Sequence, residues 1–401
     1  MKEKLKQIGW IYDANAYLRA KIQDRKAESE LNYYRARAAR ENIVCLENEK
    51  LIEEFQKRLK NRGVTPSFKE KGELHIFLAY YVSNWEAILP KTLRSFGRVT
   101  EFEWGCQGFD IHSFGQKSYR DKMNNAMLNA FYEAHKQQPI DIVVGYLAGK
   151  NTSPEVLQKM GENRAIIFNF CFDDKLSLRG KMLNGQWTGP AALASSVDLN
   201  LTNAPETRIK YLVEGGLSMF WPEAADPGTH KPYDVPFKFD VSFVGQKYGW
   251  RLKFIAKLER TGINVTCFGN GWENGPLSDE EMIKLYSRSR INLGFAGVGH
   301  SKKLMCLKGR DFEVPMSGGL YLTQDNQELS LVYDVGKEIV TYKDENDCAK
   351  KIKWLLSNSD ETDKIRKAGR NRAVTEHTWG KRFHHIFSLA GLLEDSTPED
   401  I

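Results

Sequence analysis

The chain has 401 residues, 41% of them hydrophobic and 27% charged, enough for two globular domains with real cores and an appendage. No apolar run reaches the roughly 20 residues that cross a bilayer, and Met1 to Trp10 is too charged for a signal peptide, so a cytoplasmic chain without stable membrane insertion is expected. The net charge is +6, and the first 70 residues, with 16 Lys+Arg against 11 Asp+Glu, hold five of it; so mixed a segment reads as a solvated helix face and argues against nucleic acid as partner.

From Gly9 to Arg62 the chain has no proline and no internal glycine, and Ala, Glu, Lys, Arg and Leu dominate, which predicts a long helix, whole or broken into two. A seven-residue ladder, Leu31, Ala38, Cys45, Ile52 and Leu59, with Tyr34, Glu41, Asn48 and Phe55 interleaved, resembles a short coiled-coil seam. Two outcomes fit it equally: a homodimer through this helix, or packing of the stripe onto the chain's own body. Gly63 to Gly72 ends the segment.

Alternation begins at Leu74. Apolar runs at Leu74 to Val82, Val99 to Trp104, Ile140 to Leu147, Ala165 to Phe170 and Val197 to Thr202 read as strands, separated by helices at Trp85 to Phe96, Tyr119 to Lys136, Pro154 to Met160 and Pro205 to Glu214. Continuous apolar strands between helices imply a parallel sheet covered on both faces. A proline-rich passage from Asp226 to Pro236 reads as a linker. The alternation then restarts with strands at Phe239 to Val244, Asn264 to Phe268 and Ile291 to Phe295, and ends in helices from Asn346 to Leu356, Thr362 to Val374 and His377 to Leu393.

The predicted organisation is a helical extension over 1–70, a Rossmann-like domain over 71–225, a linker over 226–238, a second Rossmann-like domain over 239–378, and a helix and tail over 379–401. Two such domains in series suggest a cleft, with ligands beyond the carboxyl ends of the strands. Glycines follow two strands of the second half, at Gly245 and at Gly269 to Gly271, but neither GxGxxG nor a Walker A motif is present. The six cysteines are scattered without a CxxC pair, which argues against disulfides and zinc.

Ser301 to Thr323, SKKLMCLKGRDFEVPMSGGLYLT, concentrates Lys302, Lys303, Lys308 and Arg310 beside Glu313, then turns at Ser317-Gly318-Gly319. Basic side chains can hold a diphosphate, a carboxylate can accept from ribose hydroxyls, and paired glycines admit backbone amides to a ligand. A surface helix with ordinary lysines fits the composition as well.

Four motifs, FDVSFVG at Phe239 to Gly245, CFGNGW at Cys267 to Trp272, RSRINLGF at Arg288 to Phe295 and LKGRDFEVPMSGG at Leu307 to Gly319, resemble the CgeB-like glycosyltransferases of the GT-B superfamily. The resemblance covers roughly Phe239 to Phe387 and implies an α/β GT-B fold: two facing Rossmann-like doubly wound domains behind a long-helix extension. It implies a Leloir enzyme that moves a hexose from a UDP- or GDP-sugar to a hydroxyl acceptor, a protein, polysaccharide or other glycan, with no metal or other cofactor. Under it Glu313 would accept from the ribose, Lys308 and Arg310 would neutralise the diphosphate, and Gly318 and Gly319 would let backbone approach the phosphate. Gly245 would bring the first loop near the donor, while Gly269, Asn270, Gly271 and Trp272 would flank the base. One position departs: the first acid of the family's paired-glutamate motif should lie eight residues before Glu313, where Met305 stands. A general base for an inverting reaction would come from Asp173, Asp174, Asp110 or His112, and Trp187 is an acceptor-side candidate. Two rival readings are a non-catalytic scaffold with a degenerate pocket and a glycosyltransferase acting on nucleic acid.

Overall fold

The computed structural model describes residues 9–394. Two helices, α1 (Gly9–Glu41) and α2 (Asn48–Asn61), lead the chain, and the break falls at Asn42, whose φ of +54° is a left-handed conformation that asparagine tolerates. Among the described residues no helix is long and apolar enough to cross a membrane.

Two parallel sheets follow, with one small hairpin. The first sheet is built from β1 (Leu74–Tyr80), β2 (Gly97–Glu103), β3 (Ile142–Gly145), β4 (Ile166–Cys171) and, beyond the hairpin β5 (Met182–Leu183) and β6 (Gln186–Trp187), β7 (Leu199–Thr202) and β8 (Ser218–Phe220). Its order is β2-β1-β3-β4-β7-β8. Helices α3 (Ile88–Leu93), α4 (Lys117–Gln137), α5 (Pro154–Glu162) and α6 (Arg208–Val213) connect these strands. Every residue of β1 is buried, because helices cover both faces. On one face Phe77, Val143 and Ile167 pack with Met127, Phe131 and Leu157 of α4 and α5. On the other, Phe168 meets Phe55 of α2, which is how the heptad stripe is used: Tyr34, Ala38, Phe55 and Leu59 are buried in the chain's own body. Of the two outcomes the stripe left open, packing onto the chain's own body is the one seen for these residues.

The second sheet has β9 (Phe239–Val244), β10 (Val265–Phe268), β11 (Ser289–Leu293), β12 (Tyr321–Gln324) and β13 (Val340–Tyr342) in the order β10-β9-β11-β12-β13. It carries α7 (Arg251–Arg260), α8 (Asp279–Arg288), α9 (Gly309–Met316), α10 (Glu345–Ser357) and α11 (Ser359–Glu376). Strands β8 and β13, three residues each, carry too little apolar sequence to be read from the chain alone.

Packing divides the chain differently from its linear order. Glu223 to Thr378 forms one compact unit with the first part of α1, through Lys26; Ala27 to Pro222 forms the other with Trp379 and the residues after it, including α12 (Trp379–Leu389). Residues 226–238, expected as a linker, are fastened to the second sheet's unit: Tyr233 N–H donates to Ser287 Oγ at 3.0 Å and Lys238 N–H to the Arg288 carbonyl at 2.8 Å. Backbone that finds fixed partners ceases to be free. The extension is likewise no appendage. Glu30 accepts from Lys210 Nζ at 3.0 Å, and Arg62 grips Asp198 through two hydrogen bonds, 2.6 and 3.1 Å.

Candidate functional site

In the unit of the second sheet the chain leaves β9 toward β10 on one side and returns to β11 on the other. The carboxyl ends of β9 and β11 therefore flank a topological switch point, where doubly wound sheets bind ligands. The loops around it are tied tightly. Gly245, at φ +153°, donates to the Phe268 carbonyl at 2.9 Å, and its own carbonyl accepts from Trp272 Nε1 at 2.9 Å. Gly269 is pressed so closely that an added Cβ would lie 2.4 Å from the Gly245 oxygen. Gly271 abuts Lys247, whose ammonium stands 5.0 Å from the Trp272 ring centroid, and Lys247 N–H donates to the Asn270 carbonyl at 2.9 Å. Gly245, Gly269, Asn270, Gly271 and Trp272 thus form one continuous wall.

Helix α9 starts beside that wall, because it runs back along the sheet from the carboxyl end of β11. Asp311 caps it by accepting the Lys308 N–H at 2.7 Å. Glu313 folds over the same first turn: a Cβ on Gly309 would lie 2.9 Å from Glu313 Oε1, and the residue is buried. Lys308 is half-buried, its ammonium 3.0 Å from Cys306 Sγ.

Two guanidiniums are sunk into this end of the sheet. Arg251 donates to the Gln246 carbonyl at 2.9 Å and lies 4.3 Å from the Tyr248 ring centroid. Burial pushes its pKa down to about 10, against the pull of Tyr248, and the charge on Arg310 acts in the same direction. Among the described residues Arg251 has no carboxylate partner, whereas Arg310 lies within the electrostatic reach of Glu313 and Asp311. Arg310 Nε, Asp311 Oδ1, Tyr321 Oη and Thr323 Oγ1 are buried together in one polar cluster around the Tyr321 hydroxyl. Like charges held this close in a buried setting cost stability, and an anion with several acceptor oxygens would offset that cost.

Gly318 and Gly319 belong elsewhere, a correction to the expected phosphate approach. Gly318, at φ +71°, closes the carboxyl end of α9, where it meets Pro232 and Arg370, and Gly319 packs on Asn292 as the chain enters β12. Helix α9 lies antiparallel to the strands, so its glycine end sits at their amino ends, away from the diphosphate candidates.

In the unit of the first sheet Asp173 follows β4 and is exposed. Asp174 is fully buried and accepts from Tyr211 Oη at 2.8 Å; burial pushes its carboxyl up to about 6, and it has no path to an acceptor hydroxyl. This removes it from the candidate bases. His112 is exposed, and its N–H joins the Ser113 hydroxyl in occupying the Asp110 carboxylate, which holds Asp110 in a turn. Trp187 is half-buried in the β5–β6 hairpin with the Arg179 guanidinium 5.3 Å from its ring, and Asn184 of that hairpin donates to the Gly115 carbonyl at 3.4 Å. Hairpin and His112 loop are therefore joined, while Asp173 stands on a separate loop.

Sequence reasoning missed Arg251, Asp311 and Tyr321. A signal for Arg251 was present, a base six residues after the strand-ending Gly245. It missed Gln23 and Asp24 entirely: His300 N–H donates to Gln23 Oε1 at 2.8 Å and the Ser301 hydroxyl to Asp24, which seats α1 on the loop between β11 and α9.

Residues 251–388 match the family described as Glycosyl transferase-like. Solved structures with the same fold include HepE of Anabaena in complex with UDP and glucose (TM-score 0.53, 12% identity, 80% of this chain and 100% of that one). Others are sucrose-phosphate synthase of Thermosynechococcus elongatus (TM-score 0.54, 12% identity, 80% and 98%) and a glycosyltransferase of Rickettsia africae (TM-score 0.55, 10% identity, 81% and 100%). No curated protein sequence matches the chain. The fold is that of the GT-B class, two Rossmann-like domains of parallel sheet with a long leading helix. Within it, the family match falls on the second sheet's unit and α12, the part that carries Arg251, Arg310 and Glu313.

Proposed function

We propose that the chain is a glycosyltransferase that moves a sugar from a nucleotide diphosphate donor to a hydroxyl acceptor, with the donor on the second sheet's unit and the acceptor on the first. The observation that carries this reading is the buried Arg251 guanidinium, without a carboxylate partner among the described residues, facing the like charge of Arg310, whose Nε is buried, beside the switch point of the second sheet. Departure of a nucleoside diphosphate builds negative charge on its oxygens, and preorganised cations in a dry site lower the cost of that charge. Lys308 adds a third cation at the start of α9, whose amino end favours an anion. Glu313 accepts hydrogen bonds from the ribose, and Trp272 with its glycines bounds the base.

Asp173 is the exposed carboxylate suited to take the acceptor proton. Met305 offers a thioether where a sugar-holding acid would stand, so the transferred sugar is held by other groups. The finer reading, a CgeB-like enzyme using a UDP- or GDP-hexose, draws on the four motifs and on relatives whose structures hold UDP and glucose or UDP-glucose.

Calorimetric titration with UDP and GDP tests the donor site. Arg310→Ala and Glu313→Ala should each weaken the preferred nucleotide by tenfold or more, about 1.4 kcal/mol, with unchanged circular dichroism. Wild-type affinity in both variants would remove the assignment. Release of nucleoside diphosphate from a nucleotide sugar separates an enzyme from a scaffold that only binds.

A further inference from the structure

The first sheet has a switch point of its own. The connection from β1 to β2 runs through α3, which packs against α12, while the connection into β3 runs through α4 and passes β1 to reach its far side. The carboxyl ends of β1 and β3 are thus neighbours from which the chain departs in opposite directions, a place where loops diverge and leave room for a ligand. The loop after β1 presents Trp85 there and the loop after β3 presents Tyr146, with ring centroids 5.9 Å apart.

Both rings rest on a buried aromatic floor. Trp85 stacks on Trp379 at 4.9 Å and 11°, and Tyr146 stacks on Phe170 at 4.8 Å and 17°, while both upper rings stay half-buried. The buried Glu86 carboxylate accepts the Ser83 and Asn84 N–H groups at 3.2 and 2.7 Å, which fixes the loop that carries Trp85. Phe172 lies 5.7 Å from Trp85, so the exposed Asp173 that follows it stands at the margin of the platform. Both residues keep part of their surface accessible at this strand-end edge.

We propose that Trp85 and Tyr146 form the acceptor platform and that the acceptor they take is a saccharide ring, a reading that rests on the glycosyltransferase function above. A pyranose has a C–H face that stacks on an aromatic ring and a rim of hydroxyls that donate to a carboxylate, and Trp85, Tyr146 and Asp173 supply both. A nucleic acid would bring phosphates to a carboxylate, which disfavours it.

The test uses the full chain and a panel of methyl hexosides observed by saturation-transfer-difference NMR in the presence of UDP. The expected result is saturation on the C–H protons of one ring face for at least one hexoside. Tyr146→Ala and Asp173→Asn should weaken that hexoside about tenfold while the UDP affinity stays at the wild-type value. Absence of any hexoside signal in the UDP-bound wild type, or unchanged hexoside affinity in both variants, overturns the proposal. Failure of UDP and GDP to bind the wild type counts against the donor reading instead. Trp85→Leu is a third variant; should it fail to fold, Tyr146→Ala and Asp173→Asn still decide, because their side chains are half-buried or exposed.

Discussion

Gln23 Oε1 accepts the backbone N–H of His300 at 2.8 Å, which places a residue of the leading helix on the loop that feeds the proposed donor site. The Ser301 hydroxyl donates to Asp24 and in turn accepts the Lys303 and Leu304 N–H groups at 3.0 and 2.8 Å, so the helix orders the approach to Lys308 and Arg310. Replacing both Gln23 and Asp24 by alanine should raise amide exchange at 299–304 and weaken UDP several-fold. Identical exchange in wild type and variant would show that α1 merely rests there.

Gly269 is confined by conformation and by space. At φ +121° an L side chain is strained, and a Cβ would meet the Gly245 carbonyl oxygen at 2.4 Å. Gly269→Ala should cost about 1–3 kcal/mol of stability and separate the Gly245 loop from Trp272. Gly262→Ala is the control: φ +82° there has nothing within 4 Å of the added atom, so only conformational strain is felt. Equal urea midpoints for the two variants would refute the packing argument.

Two buried carboxyls make stability depend on pH. Burial raises Asp311 from 3.8 to about 7 and Asp174 from 3.8 to about 6, so between those values the folded chain holds protons that the unfolded chain has released. Folded-state pKa values above the unfolded ones mean that this stability is present at low pH and is lost as pH rises toward 6 and 7. Relative to wild type, Asp311→Asn and Asp174→Asn should lose less stability between pH 4.5 and 7.5 in urea unfolding. A parallel pH profile would show that the carboxyls ionise normally.

Arg62 joins the helical extension to the first sheet. Its guanidinium serves Asp198 at 2.6 and 3.1 Å and donates to the Ala165 carbonyl at 2.8 Å, and Asp198 itself accepts the Ile167 N–H at 2.8 Å. Arg62→Ala leaves a largely buried carboxylate without its cation and should cost about 3 kcal/mol. The Arg62→Ala, Asp198→Asn pair should recover part of that loss, and simple additivity would mean that the two are not coupled.

Much of the fold was legible because its signals are local. Apolar runs such as Phe239–Val244 fall into the strand that their period describes, and glycines after strands mark the loops at the carboxyl ends. The donor candidates from Gly245 to Trp272, with Lys308, Arg310 and Glu313, could be gathered for the same reason. Arg251 escaped because one arginine at a helix start looks like any other until burial shows that no carboxylate has been provided for it. Gly318 and Gly319 misled because a glycine pair reads alike at either end of a helix, and only the direction of α9 against the sheet tells which end faces the ligand.

By itself the sequence determined two runs of strand and helix, each rich enough in apolar residues to bury a parallel sheet, and the places where the chain must turn. Tertiary structure alone decided that the heptad stripe of α1 and α2 spends itself on the chain's own body, that Asp174 is a core carboxyl while Asp173 is exposed, and that Gln23 reaches His300. Periodicity and turn chemistry act over a few residues and are written in their order. Burial, pairing and access to solvent arise between residues up to 333 positions apart, and no local pattern encodes them.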